Sequence, residues 1–216
     1  MRLVIVIAMA LLTSNAIAQT PVEIFTGSYK TTFDVMFFKY FKTSTGANSK
    51  WLLFNRNRYS VDYLQTTNSN LPQFGSVTAI SYNVPTWHGV APVMVAQVTN
   101  RGVSPKLGLQ YASMPKNWLI FSWLVGETLR QPSIDYFLLL RYTPTIQQQQ
   151  LFTQVELVNT IPTTTSKTYS FIQRFRLGLK HKALQYGAGI DITTQGLQQP
   201  LQNSTNAGIF IRYEFQ

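Results

Sequence analysis

Ala207-Gly208-Ile209-Phe210-Ile211-Arg212-Tyr213-Glu214-Phe215-Gln216 is the stretch whose alternation decides the fold. Ala207, Ile209, Ile211, Tyr213 and Phe215 take one set of alternate positions, while Gly208, Arg212 and Glu214 take the other. Successive side chains of a strand point to opposite faces, so this segment separates an apolar from a polar medium.

The same two-residue period runs back through the chain. Leu107, Leu109 and Tyr111 alternate with Lys106, Gly108 and Gln110, and after a Met114-Pro115-Lys116-Asn117 turn Leu119, Phe121, Trp123 and Val125 are expected to continue that apolar face. Tyr136, Leu138, Leu140 and Tyr142 oppose Asp135 and Arg141; Thr153, Val155 and Leu157 oppose Gln154 and Glu156. Phe171, Phe175, Leu177 and Leu179 oppose Arg174, Arg176, Gly178 and Lys180, and Leu184, Tyr186, Ala188, Ile190 and Ile192 oppose Gln185, Gly187, Gly189 and Asp191. Each segment has about the 9 to 11 residues that a tilted transmembrane strand needs. A closed barrel is the one sheet that leaves no backbone group unpaired in hydrocarbon. A soluble β-sandwich also alternates, but it turns its polar face outward.

Composition and the N-terminus point the same way. Charged residues make up 12% and aromatics 13% of the chain. A soluble domain is typically about 25% charged, so a lipid-facing surface accounts for both figures. Arg2, the apolar run 3–12 and Ala16-Ile17-Ala18 read as a secretory signal, which predicts a signal peptide over 1–18 and a mature barrel over 19–216. Eighteen basic and eight acidic residues give +10, and loss of Arg2 leaves +9. Such a balance suits anionic solutes or lipid headgroups, and export argues against nucleic acid as a partner. There is no cysteine, which removes disulfides and thiolate metal sites.

The final segment, with Ile209, Ile211, Tyr213 and Phe215 at alternate positions and a closing Tyr-x-Phe, resembles the C-terminal signature of Gram-negative outer-membrane β-barrels, although this chain runs on to Gln216. The resemblance implies an all-β, closed antiparallel transmembrane barrel in the bacterial outer membrane. Its partners would be outer-membrane lipid and, during biogenesis, the barrel-assembly machinery. Asn55-Arg56-Asn57-Arg58 and the run 173–180 are also similar to Arg-rich strands of small outer-membrane barrels, in which alternate Arg residues face the lumen.

Eleven strand segments are expected, near 33–42, 50–64, 74–84, 89–99, 105–113, 117–127, 133–143, 150–160, 167–181, 184–194 and 205–215. Single-chain bacterial barrels have even strand numbers, so a short first strand over 22–29 makes twelve, and one false segment would make ten; twelve is favoured. With a periplasmic C-terminus, connections at 65–73, 100–104, 128–132, 161–166 and 195–204 face outside, and those at 43–49, 85–88, 114–116, 144–149 and 182–183 face the periplasm.

On this phasing Arg56, Arg58, Asp62, Lys106, Asp135, Arg141, Glu156, Arg174, Arg176, Lys180, Asp191, Arg212 and Glu214 point into the lumen. Arg and Lys lining a narrow passage lower the barrier to anions, which predicts a passive pore for small anionic or polar solutes. The alternative is a closed structural barrel, or an accessory subunit of a larger outer-membrane complex, with those charges locked in ion pairs. Arg174 and Arg176 are expected within cross-strand reach of Glu156 and Asp191. The aromatic-rich 33–42 and Trp51-Leu52-Leu53-Phe54 read first as an interfacial girdle. Catalysis has little to stand on: His88 and His181 are the only histidines and no nucleophile elbow or metal motif occurs, which leaves an outer-membrane lipid-modifying enzyme as a remote reading and predicts neither cofactor nor metal.

Overall fold

The computed structural model describes residues 20–63, 73–100, 102–127, 129, 132–163, 169–196 and 201–215. The expected signal peptide and Gln216 lie outside these residues. Strands β1 (Thr20–Gly27), β2 (Lys30–Lys42), β3 (Asn48–Asp62), β4 (Gln73–Tyr82), β5 (Val90–Thr99), β6 (Gly102–Ser113), β7 (Trp118–Glu127), β8 (Ser133–Tyr142), β10 (Gln149–Pro162), β11 (Tyr169–His181), β12 (Leu184–Gly196) and β13 (Gln202–Phe215) build the wall; β9 (Thr145–Ile146) extends one turn. Each pairs antiparallel with its neighbours in chain order. The first strand closes the ring on the last, from Thr20 opposite Phe215 to Gly27 opposite Gly208. No strand edge is left for lipid to meet, as hydrocarbon requires.

Twelve strands are therefore present, and the short first one supplies the twelfth. The strands reach farther into one set of connections than the sequence suggests: β6 begins at Gly102, β12 runs to Gly196 and β13 begins at Gln202. At the opposite end the turns are tight. Gln147 and Gln148 both have positive φ (46° and 71°), the twist that a two-residue hairpin turn demands, so the polar glutamine run is a turn.

The phase expected for β7 is reversed. Phe121, Trp123 and Val125 are buried, not lipid-facing, and Leu119 packs against the same cluster, while Leu124 is 56% exposed. The reason lies in pairing: Phe121 sits opposite Leu139 and Trp123 opposite Phe137, and directly opposed residues share a face. On β8, Asp135 and Arg141 fix Phe137 and Leu139 inside. Glu127, in phase with Phe121 and itself buried, carried the signal that could have settled β7 from sequence.

The interior is filled by two kinds of side chain. Over β2–β8, Met36, Phe54, Ala79, Val93, Val95, Phe121, Trp123, Val125, Phe137 and Leu139 form one apolar cluster. Within it the Phe54 and Phe121 rings stack with centroids 5.1 Å apart, and Phe38 meets Phe121 edge-on at 4.9 Å. The segment 33–42 thus serves both faces: Phe33 and Phe41 lie outward, whereas Met36 and Phe38 enter the core. The other side of the bore, from β10 round to β3, is charged.

Candidate functional site

The charged side is built strand by strand from the alternation. Glu23 on β1, Asp34 on β2, Arg56 and Arg58 on β3, Glu156 on β10, Arg174 and Arg176 on β11, Asp191 on β12 and Arg212 on β13 form one connected set of ion pairs. Arg176 donates through Nε to Glu23 (3.0 Å) and through Nη1 to Asp191 (2.7 Å). Arg174 pairs with Glu156, and Arg58 Nη2 reaches Asp191 at 3.2 Å. Arg56 pairs with Asp34 and places Nη1 2.9 Å from Glu156 Oε1.

That last pair fixes the state of the bore. β3 and β10 are six strands apart by either route round the wall, so Arg56 and Glu156 join diametrically opposite sides. A second group, Arg141, Lys180 and Glu214, is tied to the first by Gln154, whose Oε1 accepts from Arg141 Nε (3.2 Å) and Arg212 Nη1 (2.8 Å). Aromatic rings floor the belt: the Arg176 guanidinium lies 3.9 Å from the Phe25 centroid, and Arg212 and Arg141 lie over Phe152 at 5.4 and 5.8 Å. Cations over ring faces in a desolvated setting gain about 2 kcal/mol.

Bare backbone makes room for these long side chains. A Cβ on Gly189 would meet Arg176 Cδ at 2.7 Å, and one on Gly208 would meet the Thr26 carbonyl oxygen at 2.0 Å. Gly189 thus leaves room for the Arg176 stem, while Gly178, Gly187 and Gly208 let neighbouring strands approach closely.

Of the residues expected in the lumen, Arg56, Arg58, Arg141, Glu156, Arg174, Arg176, Lys180, Asp191, Arg212 and Glu214 are brought together here. Lys106 and Asp135 form a separate pair on β6 and β8, with Gln97 Oε1 2.7 Å from Lys106 Nζ. Asp62 stands apart at the end of β3, opposite Lys30. Glu23, Asp34 and Gln154 belong to the belt but were missing from the expected set. Asp34 is hidden in sequence by the aromatic run around it, and Glu23 by the brevity of β1.

Ile209, Ile211, Tyr213 and Phe215 all point outward and are 70%, 50%, 46% and 52% exposed. His88 and His181 both lie at the end of the barrel where β13 finishes. Among the described residues no group of three or more His, Cys, Asp or Glu side chains could hold a metal ion.

Across the belt seven cationic side chains face five carboxylates, and four guanidinium nitrogens remain buried without a hydrogen-bond partner: Arg58 Nη1, Arg141 Nη2, Arg174 Nε and Arg212 Nε. Chemically the belt is a set of anion-oxygen donors held in place by rings and neighbouring carboxylates.

No protein-family model matches the sequence, and comparison with curated proteins returns no match. Among solved structures the fold is similar to a KdgM porin (12% identity, TM-score 0.51) and to a NanC porin (10% identity, TM-score 0.51), each alignment covering 92% of this chain and 99% of the other. At such identities the likeness is one of fold. With the closed ring and the apolar outer surface, it makes this chain a closed β-barrel of twelve antiparallel strands, the fold of the outer-membrane porins it resembles.

Proposed function

We propose that this barrel is a narrow passive pore that favours small anionic or polar solutes. The observation that carries the reading is the cation excess of the belt, with guanidinium N–H groups of Arg58, Arg141, Arg174 and Arg212 left for a further acceptor. An anionic oxygen can take up those donors and exchange with the carboxylates that now hold the arginines, so that charge is never left bare in the bore. The bridge from Arg56 to Glu156 spans the bore, and it has to part for a solute to pass. The porin-like fold supports a channel rather than an enzyme.

Planar-bilayer recording tests this. Purified, heat-modifiable protein should conduct with an anion-biased reversal potential, and Arg174→Glu with Arg176→Glu, in variants that keep heat-modifiable mobility, should shift the bias toward cations. Absence of conductance from well-folded protein sinks the pore.

A second reading, a closed structural barrel or accessory subunit, is favoured by one specific observation: the apolar cluster over β2–β8 and the Arg56–Glu156 bridge fill the bore, and Phe121, Leu139 and Glu156 have no exposed surface. A stoichiometric partner recovered by native pull-down, from protein that does not conduct, supports it.

A further inference from the structure

One strand is polar on both of its faces at the depth of the hydrocarbon. While Arg56 and Arg58 of β3 point into the bore, Asn55 and Asn57 share the outward face with the exposed Trp51 and Tyr59. On β4 the outward residues opposite them are Thr78 and Ser76. The four form a hydrogen-bonded ladder: Ser76 Oγ donates to Asn57 Oδ1 (2.8 Å), Asn57 Nδ2 to Asn55 Oδ1 (2.7 Å) and Asn55 Nδ2 to Thr78 Oγ1 (2.8 Å).

Aromatic rows bracket the ladder and fix its depth. Phe33, Tyr59 and Phe74 pack above it, and Trp51 and Tyr82 below, as interfacial girdles flank an apolar band. Elsewhere the outward positions near mid-strand include Leu109, Leu124, Leu138, Val155, Leu177 and Ile209. Ser122 of β7 and Gln173 of β11 are exceptions: the Ser122 hydroxyl is spent on the Phe137 carbonyl (2.8 Å), and Gln173 stands singly between Phe171 and Phe175. In the ladder each amide nitrogen uses one of its two hydrogens, and the Thr78 hydroxyl proton remains. Hydrocarbon offers these groups nothing, and intramembrane polar side chains commonly mark contacts with other protein.

We propose that the outward face of β3 and β4 is a docking surface for a second copy of this chain, packed about a two-fold axis along the membrane normal. Three features select that occupant. The ladder carries donors and acceptors in equal kind, so it complements itself, as an isologous contact requires. Copies inserted in one orientation present it at the same depth, because the same aromatic rows set the height. Ser76, Thr78 and the adjoining outward Ala96 give low relief, which lets two walls approach closely.

The chain has no cysteine, so single substitutions report cleanly. In outer membranes or nanodiscs, Ser76→Cys treated with a membrane-permeant bis-maleimide should give a homodimer band, and Leu177→Cys on the far wall should not. Asn55→Leu with Asn57→Leu, in protein that still shows heat-modifiable mobility, should abolish the Ser76→Cys dimer. Equal cross-linking at both positions, a monomer at every position, or capture of a different protein at Ser76→Cys overturns the proposal. None of these outcomes depends on whether the barrel conducts.

Discussion

The two sides of the bore solve one packing problem with opposite chemistry. From β4 to β8 the wall carries Val, Phe, Trp and Leu side chains that fill the interior by apolar contact, and β7 is apolar on both faces from Leu119 to Val125 but for Ser122. From β10 round to β3 the wall carries Arg, Asp and Glu, with Gly189 where the Arg176 stem needs space. The difference teaches where specificity resides. Apolar packing depends on volume and tolerates exchange of similar shapes, whereas an ion-pair set fails as soon as one member is removed.

The largest effect should come from the glycine wall on the charged side. Gly208→Val puts carbon atoms where the Thr26 carbonyl oxygen and the Gly27 Cα already lie, 2.0 and 2.5 Å from a Cβ. No heat-modifiable species should form, and a folded Gly208→Val barrel on an unheated gel would show that the seam between β1 and β13 is looser than described.

Next, one residue from each side can be compared directly. Phe121→Ala should lower unfolding stability in detergent by about 3–5 kcal/mol, as truncation of a buried ring does. Glu156→Gln should cost a similar ~3–5 kcal/mol, because it strips the partner from Arg56 and Arg174. The two sides should separate on rescue: Arg174→Gln added to Glu156→Gln should recover part of the loss, while no second charge removal should help Phe121→Ala. Guanidinium titrations of the singles and the double measure this, and strict additivity would mean the ion pair contributes little.

A smaller effect tests the face assignment of β7. Leu124→Arg places a charge toward lipid near the middle of the strand and should cost about 2–4 kcal/mol. Refolding equilibria in lipid vesicles measure the loss, and an unchanged equilibrium would put Leu124 inside. The mildest test leaves stability alone. Leu124→Cys and Phe175→Cys should react with a lipid-phase thiol label, while Trp123→Cys and Arg174→Cys should be shielded; the opposite pattern for Trp123 and Leu124 would restore the lipid-facing phase for Trp123.

From β10 to β13 the charged side was legible in the sequence because each of these strands carries its charged residues on one face only. Arg174 and Arg176 against Phe175 and Leu177, or Asp191 against Ile190 and Ile192, admit a single phase, since a bare guanidinium toward lipid is costly. β7 was harder to phase, because Phe121 and Trp123 are as apolar as Ile120 and Leu124. Its one sequence signal was Glu127 at the strand end, and pairing with β8 removed the ambiguity. β3 was legible by halves: Asn55-Arg56-Asn57-Arg58 declares a lumen face, but its other face looks equally polar, and the ladder to Ser76 and Thr78 comes from a strand some twenty residues away in sequence.

By itself, then, the chain determined the barrel, the place of each strand in it and the inward side of most strands, because alternation between lipid and lumen is a local property of neighbouring residues; how far the strands extend into the connections it did not determine. Whether the bore is spanned was decided only by tertiary structure. Arg56 meets Glu156 across the whole diameter, and Glu23 meets Arg176, over separations that depend on ring closure and register rather than on any local pattern.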